Sequence, residues 1–217
     1  LRTPLTSIYG ACSAMLENYD ALPRQTHMKL LSDVCADAQW LVRMVENLLS
    51  VTRVDTSTVR LSKNDTVLEE LIDAVLVKFR KHYPDTEVHV EIPDEFVSIP
   101  MDAMLISQVL MNLLENAVFH AKGMKNLWLR VEVKGLWAYF YVEDDGCGIP
   151  EEKRSKLFTG MLGSEMPTDQ SRSSMGIGLS VCSAIIKAHG GEIWANKRAG
   201  GGTEVGFRLK MEDEDGE

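Results

Sequence analysis

The chain has 217 residues, 45% hydrophobic and 25% charged, which suits an ordinary globular protein of one large domain or of a small domain joined to a larger one. Its formal charge of -9 excludes a sequence-independent grip on nucleic acid, which needs a basic surface, and no apolar run reaches the roughly 18 residues of a membrane span. The four cysteines (Cys12, Cys35, Cys147, Cys182) are too scattered for a CxxC metal site or a disulfide framework, and no leader peptide is visible, so a reduced cytoplasmic setting is expected.

The first segment, Leu1-Arg-Thr-Pro-Leu-Thr-Ser7, opens a helix-period pattern with a proline near its start. Such a proline costs roughly 3 kcal/mol unless it stands in the first turn or marks a kink. Leu5, Ile8, Cys12, Met15 and Tyr19 recur at spacings of three and four, and Leu31, Val34, Ala38, Leu41, Val45, Leu48 and Thr52 do the same. Both are seams of the kind that packs helices at shallow angles. The short connection Asn18-Tyr-Asp-Ala-Leu-Pro-Arg24 makes residues 1–55 an antiparallel helical hairpin. Two helices alone cannot bury both seams. Either the hairpin packs on the domain that follows or two copies form a four-helix bundle, and the unpaired seam favours a homodimer through residues 1–55.

Residues 56–212 mix helix and strand. A short strand is expected over 59–61, a helix over 67–81 and a strand over 87–92. A long apolar helix over 102–120 follows, with Asp102 as its N-cap. Residues 127–134 and 136–143 read as strands joined at Lys134-Gly135. A helix over 176–189 stops at Gly190-Gly191 and leads to strands over 192–195 and 203–209. The fold class is α+β: a helical hairpin, then an α/β sandwich with helices on one face of its sheet. Residues 213–217 form an acidic tail, expected to be frayed.

Three pieces carry chemistry. In Asn112-Leu-Leu-Glu-Asn-Ala117 two carboxamides stand one turn apart on an apolar helix, where burial is costly unless something binds them. Taken alone they are better explained by capping or solvent. Asp144-Asp-Gly-Cys-Gly-Ile-Pro150 follows a strand. Its carboxylate can accept from an amino group, and Gly146 and Gly148 permit close approach of a flat ligand or simply supply a turn with positive φ. Met175-Gly-Ile-Gly-Leu179 opens a helix whose exposed amides suit phosphate, although a lone GxG says little and no Walker lysine follows.

In this order the three pieces resemble the ATP-binding domain shared by sensor histidine kinases, gyrase B, Hsp90 and MutL. The likeness continues at Gly200-Gly-Gly-Thr203, and residues 1–55 look like the dimerisation and phosphoacceptor domain of those kinases. "LRTPLTSI" is similar to the downstream half of their H box, which places the acceptor histidine just ahead of Leu1 and gives Pro4 its reason, a bend after that histidine. None of the five histidines present stands before this box. The H-box spelling and Val45-Glu-Asn-Leu-Leu-Ser-Val-Thr-Arg53 look most like the Kdp-type, potassium-responsive sensor kinases, which implies a role in potassium or osmotic regulation and a membrane-anchored parent.

The resemblance implies a site for ATP and Mg²⁺. Asp144 would take the adenine amino group, with Gly146, Gly148 and Ile149 lining the base and Thr203 at its edge. Asn116 would hold Mg²⁺, with Asn112 beside it and His120 one turn on. Gly176, Gly178 and Leu179 would present helix amides to the phosphates, Phe158 falls where the family has its F box, and residues 160–174 would be a lid. Thr3 would position water for dephosphorylating the partner response regulator, or would only cap the helix. Phe119 stands where the family usually has Lys or Arg, Phe158 lacks a second aromatic, and Arg172 is the lid's one cation before the glycine box. The hydrolysing relatives carry a water-activating Glu where this chain has Asn112, and Glu115 lies on a different helix face. Phosphoryl transfer to histidine, and on to a receiver-domain aspartate, is therefore expected over hydrolysis. As given, the chain should bind Mg-ATP without labelling itself. The alternatives are a nucleotide-gated dimeric scaffold with weak or no catalysis, and a related ATPase.

Overall fold

Helix α1 (Arg2–Glu17) carries Pro4 in its first turn, where a missing N–H costs no ladder bond. The carbonyl of Asn18 accepts from the N–H groups of Ala21 and Leu22, and that of Pro23 accepts from Thr26 and His27, which closes a tight connection into a second helix, α2, over residues 24–35. In this computed structural model the described residues are 2–19, 21–35, 37–38, 41, 61–154, 157–158 and 175–212. The chain divides into two units, Leu1–Leu49 and Ser50–Glu217. In the first unit the seam residues Ile8, Cys12 and Met15 are half-buried, whereas Leu5, Tyr19 and Leu31 are exposed. The expected seam positions Val45, Leu48 and Thr52 lie outside the described residues.

The second unit starts differently from expectation. Leu61 is not in a strand, and residues 59 and 60 lie outside the described residues. The first strand is the polar β1 (Asn64–Val67), which pairs antiparallel with β3 (Ser98–Met101) in a ribbon of its own. β3 is not among the strands expected from the sequence; it carries Pro100, and in a two-stranded ribbon each strand is an edge, where proline is tolerated. Between them come α3 (Leu68–His82) and β2 (Val88–Glu91). Helix α3 buries Leu68, Leu71, Ile72, Val75, Leu76 and Phe79, an i, i+3, i+4 stripe.

Helix α4 (Ala103–His120), strands β4 (Leu127–Lys134) and β5 (Trp137–Asp144), the single-turn α5 (Glu151–Arg154), helix α6 (Met175–Ala188) and strands β6 (Glu192–Lys197) and β7 (Thr203–Lys210) complete the unit. The main sheet has the order β2-β4-β5-β7-β6, with β2 and β4 parallel and every other pair antiparallel. Side chains alternate throughout β5 and along β4 as far as Glu132. Leu127, Leu129, Val131, Ala138, Phe140 and Val142 face the helices, and Phe140 stacks on Phe207 at 4.6 Å. The other face covers itself with paired charges and rings. Arg130 bonds Glu143 at 2.8 Å and lies 4.1 Å over the Tyr141 ring, and Arg208 lies 4.3 Å over Trp137.

Helices α4 and α6 pack together, and a buried histidine fixes one end of the pair. Asp102 caps α4 by accepting from the Leu105 N–H, as its position predicts. The Asp102 N–H donates to His189 Nε2 at 3.1 Å, while His189 Nδ1 lies 2.8 Å from the Ile185 carbonyl. Only the Nδ1–H tautomer satisfies both bonds. The opposite ends of the two helices are thereby held beside the end of β5. No helix among the described residues is long and apolar enough to cross a membrane.

Candidate functional site

The register of β5 against β7 sets Asp144 directly opposite Thr203, so the two polar residues meet at the sheet's end. Both are nearly inaccessible, at 5% and 6% exposure. Asp144 Oδ1 accepts the Gly146 N–H at 2.9 Å. Burial raises the Asp144 pKa above the ordinary carboxylate value; hydrogen bonds from Gly146 and from the Thr203 N–H and hydroxyl hold part of that rise back. Its neighbour has a different task. Asp145 accepts the N–H groups of Lys125 and Asn126 at 2.7 and 2.9 Å and the Asn126 side-chain amide at 2.7 Å. Those bonds to the ionised form lower its pKa to about 2 and tie the α4–β4 connection to the end of β5. Sequence reasoning did not single out Asp145.

Close approach explains two glycines here. A Cβ on Gly146 would sit 2.6 Å from the Ala121 Cβ and within 2.8 Å of its backbone; of the two glycines in this turn, Gly148 has the positive φ (73°) and Gly146 does not. A Cβ on Gly202 would lie 1.9 Å from the Asp144 carbonyl oxygen, so β7 can begin beside Asp144 only without a side chain at 202.

These elements enclose a cavity. Helix α4 contributes Leu113, Asn116 and His120, the sheet Val142, Asp144, Thr203 and Val205, the turn after β5 Gly148, Ile149 and Pro150, and the helices α5 and α6 Lys153 and Leu179. Its empty space, open mouth included, is about 680 Å³. One wall is apolar, and Asp144 is the one carboxylate among the described residues that line it. Burial lowers the His120 pKa, which favours a neutral imidazole. The Asn116 carboxamide buries its Nδ2 with no hydrogen-bond partner among the described residues.

The remaining candidates are distributed unevenly. Asn112, one turn from Asn116, directs its side chain to the Cys182 thiol, and it is not among the cavity's lining residues. Burial pushes that thiol up to about 12. Phe158 is half-buried against the core rather than at the cavity. Gly176 and Gly178 lie in the first turn of α6. Thr3 lies in the first turn of α1, with its side chain outside the described set, as are the segment 159–174 and Arg172. Phe119 turns onto Tyr83, ring centroids 6.0 Å apart and edge to face, so the position after Val118 gives the cavity no cation. Lys153 on the wall was not foreseen; nothing in its local spacing marks it, since α5 is a single turn.

Among the described residues no group of three or more His, Cys, Asp or Glu side chains could cage a metal. A divalent ion in this cavity would lean on one amide oxygen of Asn116 and on the ligand's own oxygens. That arrangement suits Mg²⁺, which keeps its waters and binds phosphate.

Residues 101–213 match the family described as histidine kinase-, DNA gyrase B-, and HSP90-like ATPase, and residues 1–57 match the His Kinase A (phospho-acceptor) domain. The chain is 32% identical over 213 residues to Sensor protein KdpD of Clostridium acetobutylicum, covering 98% of this chain and 24% of that protein. It is 28% identical to Sensor protein kinase WalK of Staphylococcus saprophyticus, covering 98% and 35%. The chain thus spans about a quarter to a third of the length of these two relatives. Among solved structures, the catalytic domain of histidine kinase ThkA superimposes with a TM-score of 0.60 at 27% identity, covering 70% of this chain and 97% of that one. Histidine kinase AdeS of Acinetobacter baumannii (TM-score 0.71, 24% identity, 98% of both chains) shares the fold. So does ThkA in its complex with response regulator protein TrrA (0.74, 24%, 99% and 59%).

Proposed function

Because this chain belongs to the histidine kinase-, DNA gyrase B- and HSP90-like ATPase family, in its sensor histidine kinase branch, we propose that it binds Mg-ATP in the cavity at the end of β5 and donates the γ-phosphoryl to a histidine ahead of Leu1. A receiver-domain aspartate of a response regulator then takes the phosphoryl group. The observation that carries this reading is the buried Asp144, held by Gly146 and Thr203 with the cavity before it. An ionised carboxylate so placed accepts from the exocyclic amino group of adenine, and the apolar surfaces of Ile149, Val142 and Leu179 suit the faces of the base.

Asn116, which lines the cavity, is the residue that would hold Mg²⁺, through its amide oxygen, a hard ligand of the kind that ion takes. When bound, the ion supplies charge neutralisation along the phosphates. Neutral His120 on the same helix face gives a hydrogen bond without a counter-charge, and the first-turn amides of α6 at Gly176 and Gly178 receive the phosphate chain. The hydrolytic alternative needs a base within reach of a water. Asp144 is committed at the base end, and Asn112 is occupied with Cys182. With no second carboxylate on the described wall, the γ-phosphoryl passes to an imidazole nitrogen: the new N–P bond forms as the P–O bond to the departing ADP breaks.

The test is a γ-labelled ATP assay on two polypeptides. A version extended upstream with its native residues should acquire an acid-labile, base-stable label, whereas residues 1–217 should bind nucleotide and stay unlabelled. Label on residues 1–217 that disappears in His120→Ala would make His120 the acceptor and end this reading, and so would an extended chain that stays unlabelled.

The hairpin supports homodimerisation. Leu5, Tyr19 and Leu31 of the seams are 55%, 72% and 48% exposed, with Tyr9, Leu16 and Met28 exposed as well. Apolar surface of this extent on two helices is buried by a second hairpin in a four-helix arrangement. Sedimentation equilibrium at micromolar concentration should give twice the 24.2 kDa chain mass. A species that remains at 24.2 kDa over the whole concentration range would remove the dimer.

A further inference from the structure

We infer that Lys153 supplies the phosphate-binding cation of the nucleotide cavity, a role that position 119 leaves unfilled. This rests on the reading of the cavity as an adenine-nucleotide site. Three observations converge on it. First, Lys153 is the one Lys or Arg among the described residues that line the cavity. Second, its ammonium has no carboxylate partner among the described residues, whereas neighbouring cations are engaged: Arg154 is held by Glu151 at 2.8 Å, and Arg198 by Glu143 at 3.1 Å. Third, the α4 side chain that follows Val118 is an aromatic packed on Tyr83, and the adjacent His120 is kept neutral by burial, so α4 brings no positive charge to a polyanionic ligand.

The local backbone explains how Lys153 reaches the wall. The turn after β5 ends at Pro150, whose carbonyl accepts the N–H groups of Lys153 and Arg154 at 3.0 and 3.2 Å, winding α5 into one turn. That turn sends Arg154 to Glu151 and brings Lys153 back over the cavity beside Ile149 and Pro150. A flexible four-carbon stem with a compact, strongly hydrated charge suits a phosphate chain that must arrive and leave. Because the residue is exposed, its contribution is that of a screened, charge-assisted ion pair, a factor of about two to five in affinity.

The discriminating experiment is isothermal titration of adenosine, ADP and ATP, each with Mg²⁺, into the 217-residue chain and its Lys153→Met and Lys153→Arg variants. Lys153→Met should weaken ADP and ATP about two- to fivefold and leave adenosine unchanged, and Lys153→Arg should recover most of the loss. A melting curve that matches the parent's excludes a folding defect. If Lys153→Met weakens adenosine as much as ADP, the ammonium serves the base or ribose and the inference falls. Equal ADP affinity in all three proteins overturns it too. Failure of the underlying reading looks different: adenosine and ADP would then bind neither the parent chain nor any variant.

Discussion

Asp144→Asn should lower ADP affinity at pH 7 by roughly ten- to a hundredfold while leaving the melting temperature within a few degrees of the parent's. The affinity loss follows from replacing an ionised acceptor by an amide: a hydrogen bond to a charged group is worth roughly 1.5–3 kcal/mol, and each 1.4 kcal/mol is a factor of ten. The amide also points an N–H₂ group toward the base amino group if it rotates, which adds repulsion. Stability is spared because Asn keeps an oxygen for the Gly146 and Thr203 donors that now hold Asp144, and because it removes a charge from a nearly inaccessible position. A calorimetric titration paired with a thermal melt separates the two effects. Unchanged ADP affinity would remove Asp144 from the adenine contact, and a collapse of both affinity and stability would make it a residue of the fold instead.

What the sequence disclosed follows the range of the interactions involved. Helices α3 and α4 were legible within a residue because their apolar stripes and the Asp102 cap are local signals. The β4–β5 hairpin was legible for the same reason, since alternation and the turn at Gly135 lie within a few residues of each other. The ribbon of β1 and β3 was not, because the Asn64-Asp-Thr-Val67 strand has no alternation to read, and its partner, some thirty residues on, contains Pro100.

The site divides in the same way. Asn116, His120, Asp144, Gly148, Ile149, Leu179 and Thr203 all meet at the cavity, and they were recognisable because short motifs carry them. Asn112 illustrates the limit. Spacing alone put it on one face with Asn116, yet packing of α4 on α6 gave its side chain to Cys182, a partner seventy positions away. Asp145 and Lys153 were invisible for the complementary reason: each acquires its task from a loop or turn that only the folded chain brings near.

Gly202→Ala should be the most damaging glycine-to-alanine change among the glycines whose surroundings are described, costing roughly 2–5 kcal/mol of stability and abolishing measurable ADP binding. Two costs add. The backbone at 202 has φ of 92°, outside the regions an L-residue favours, which costs roughly 1–2 kcal/mol. The added Cβ would then stand 1.9 Å from the Asp144 carbonyl oxygen and 2.8 Å from the Asp145 Cα, and neither is the end of a flexible side chain that could swing aside. Relief requires β7 to draw away from β5 at the Asp144–Thr203 pair, an overpacking cost of roughly 1–3 kcal/mol. That pair is also the floor of the cavity, so the movement takes Thr203 off Asp144 and displaces the carboxylate. Gly201→Ala is the internal control. Its φ of 108° carries comparable strain, but nothing lies within 4 Å of its Cβ, so it should lose only the strain and keep its nucleotide affinity. Urea denaturation and ADP titration of both variants give the comparison. Equal losses in the two would show that strain alone is at work, and that the close passage of β7 over the Asp144 carbonyl does not position the carboxylate.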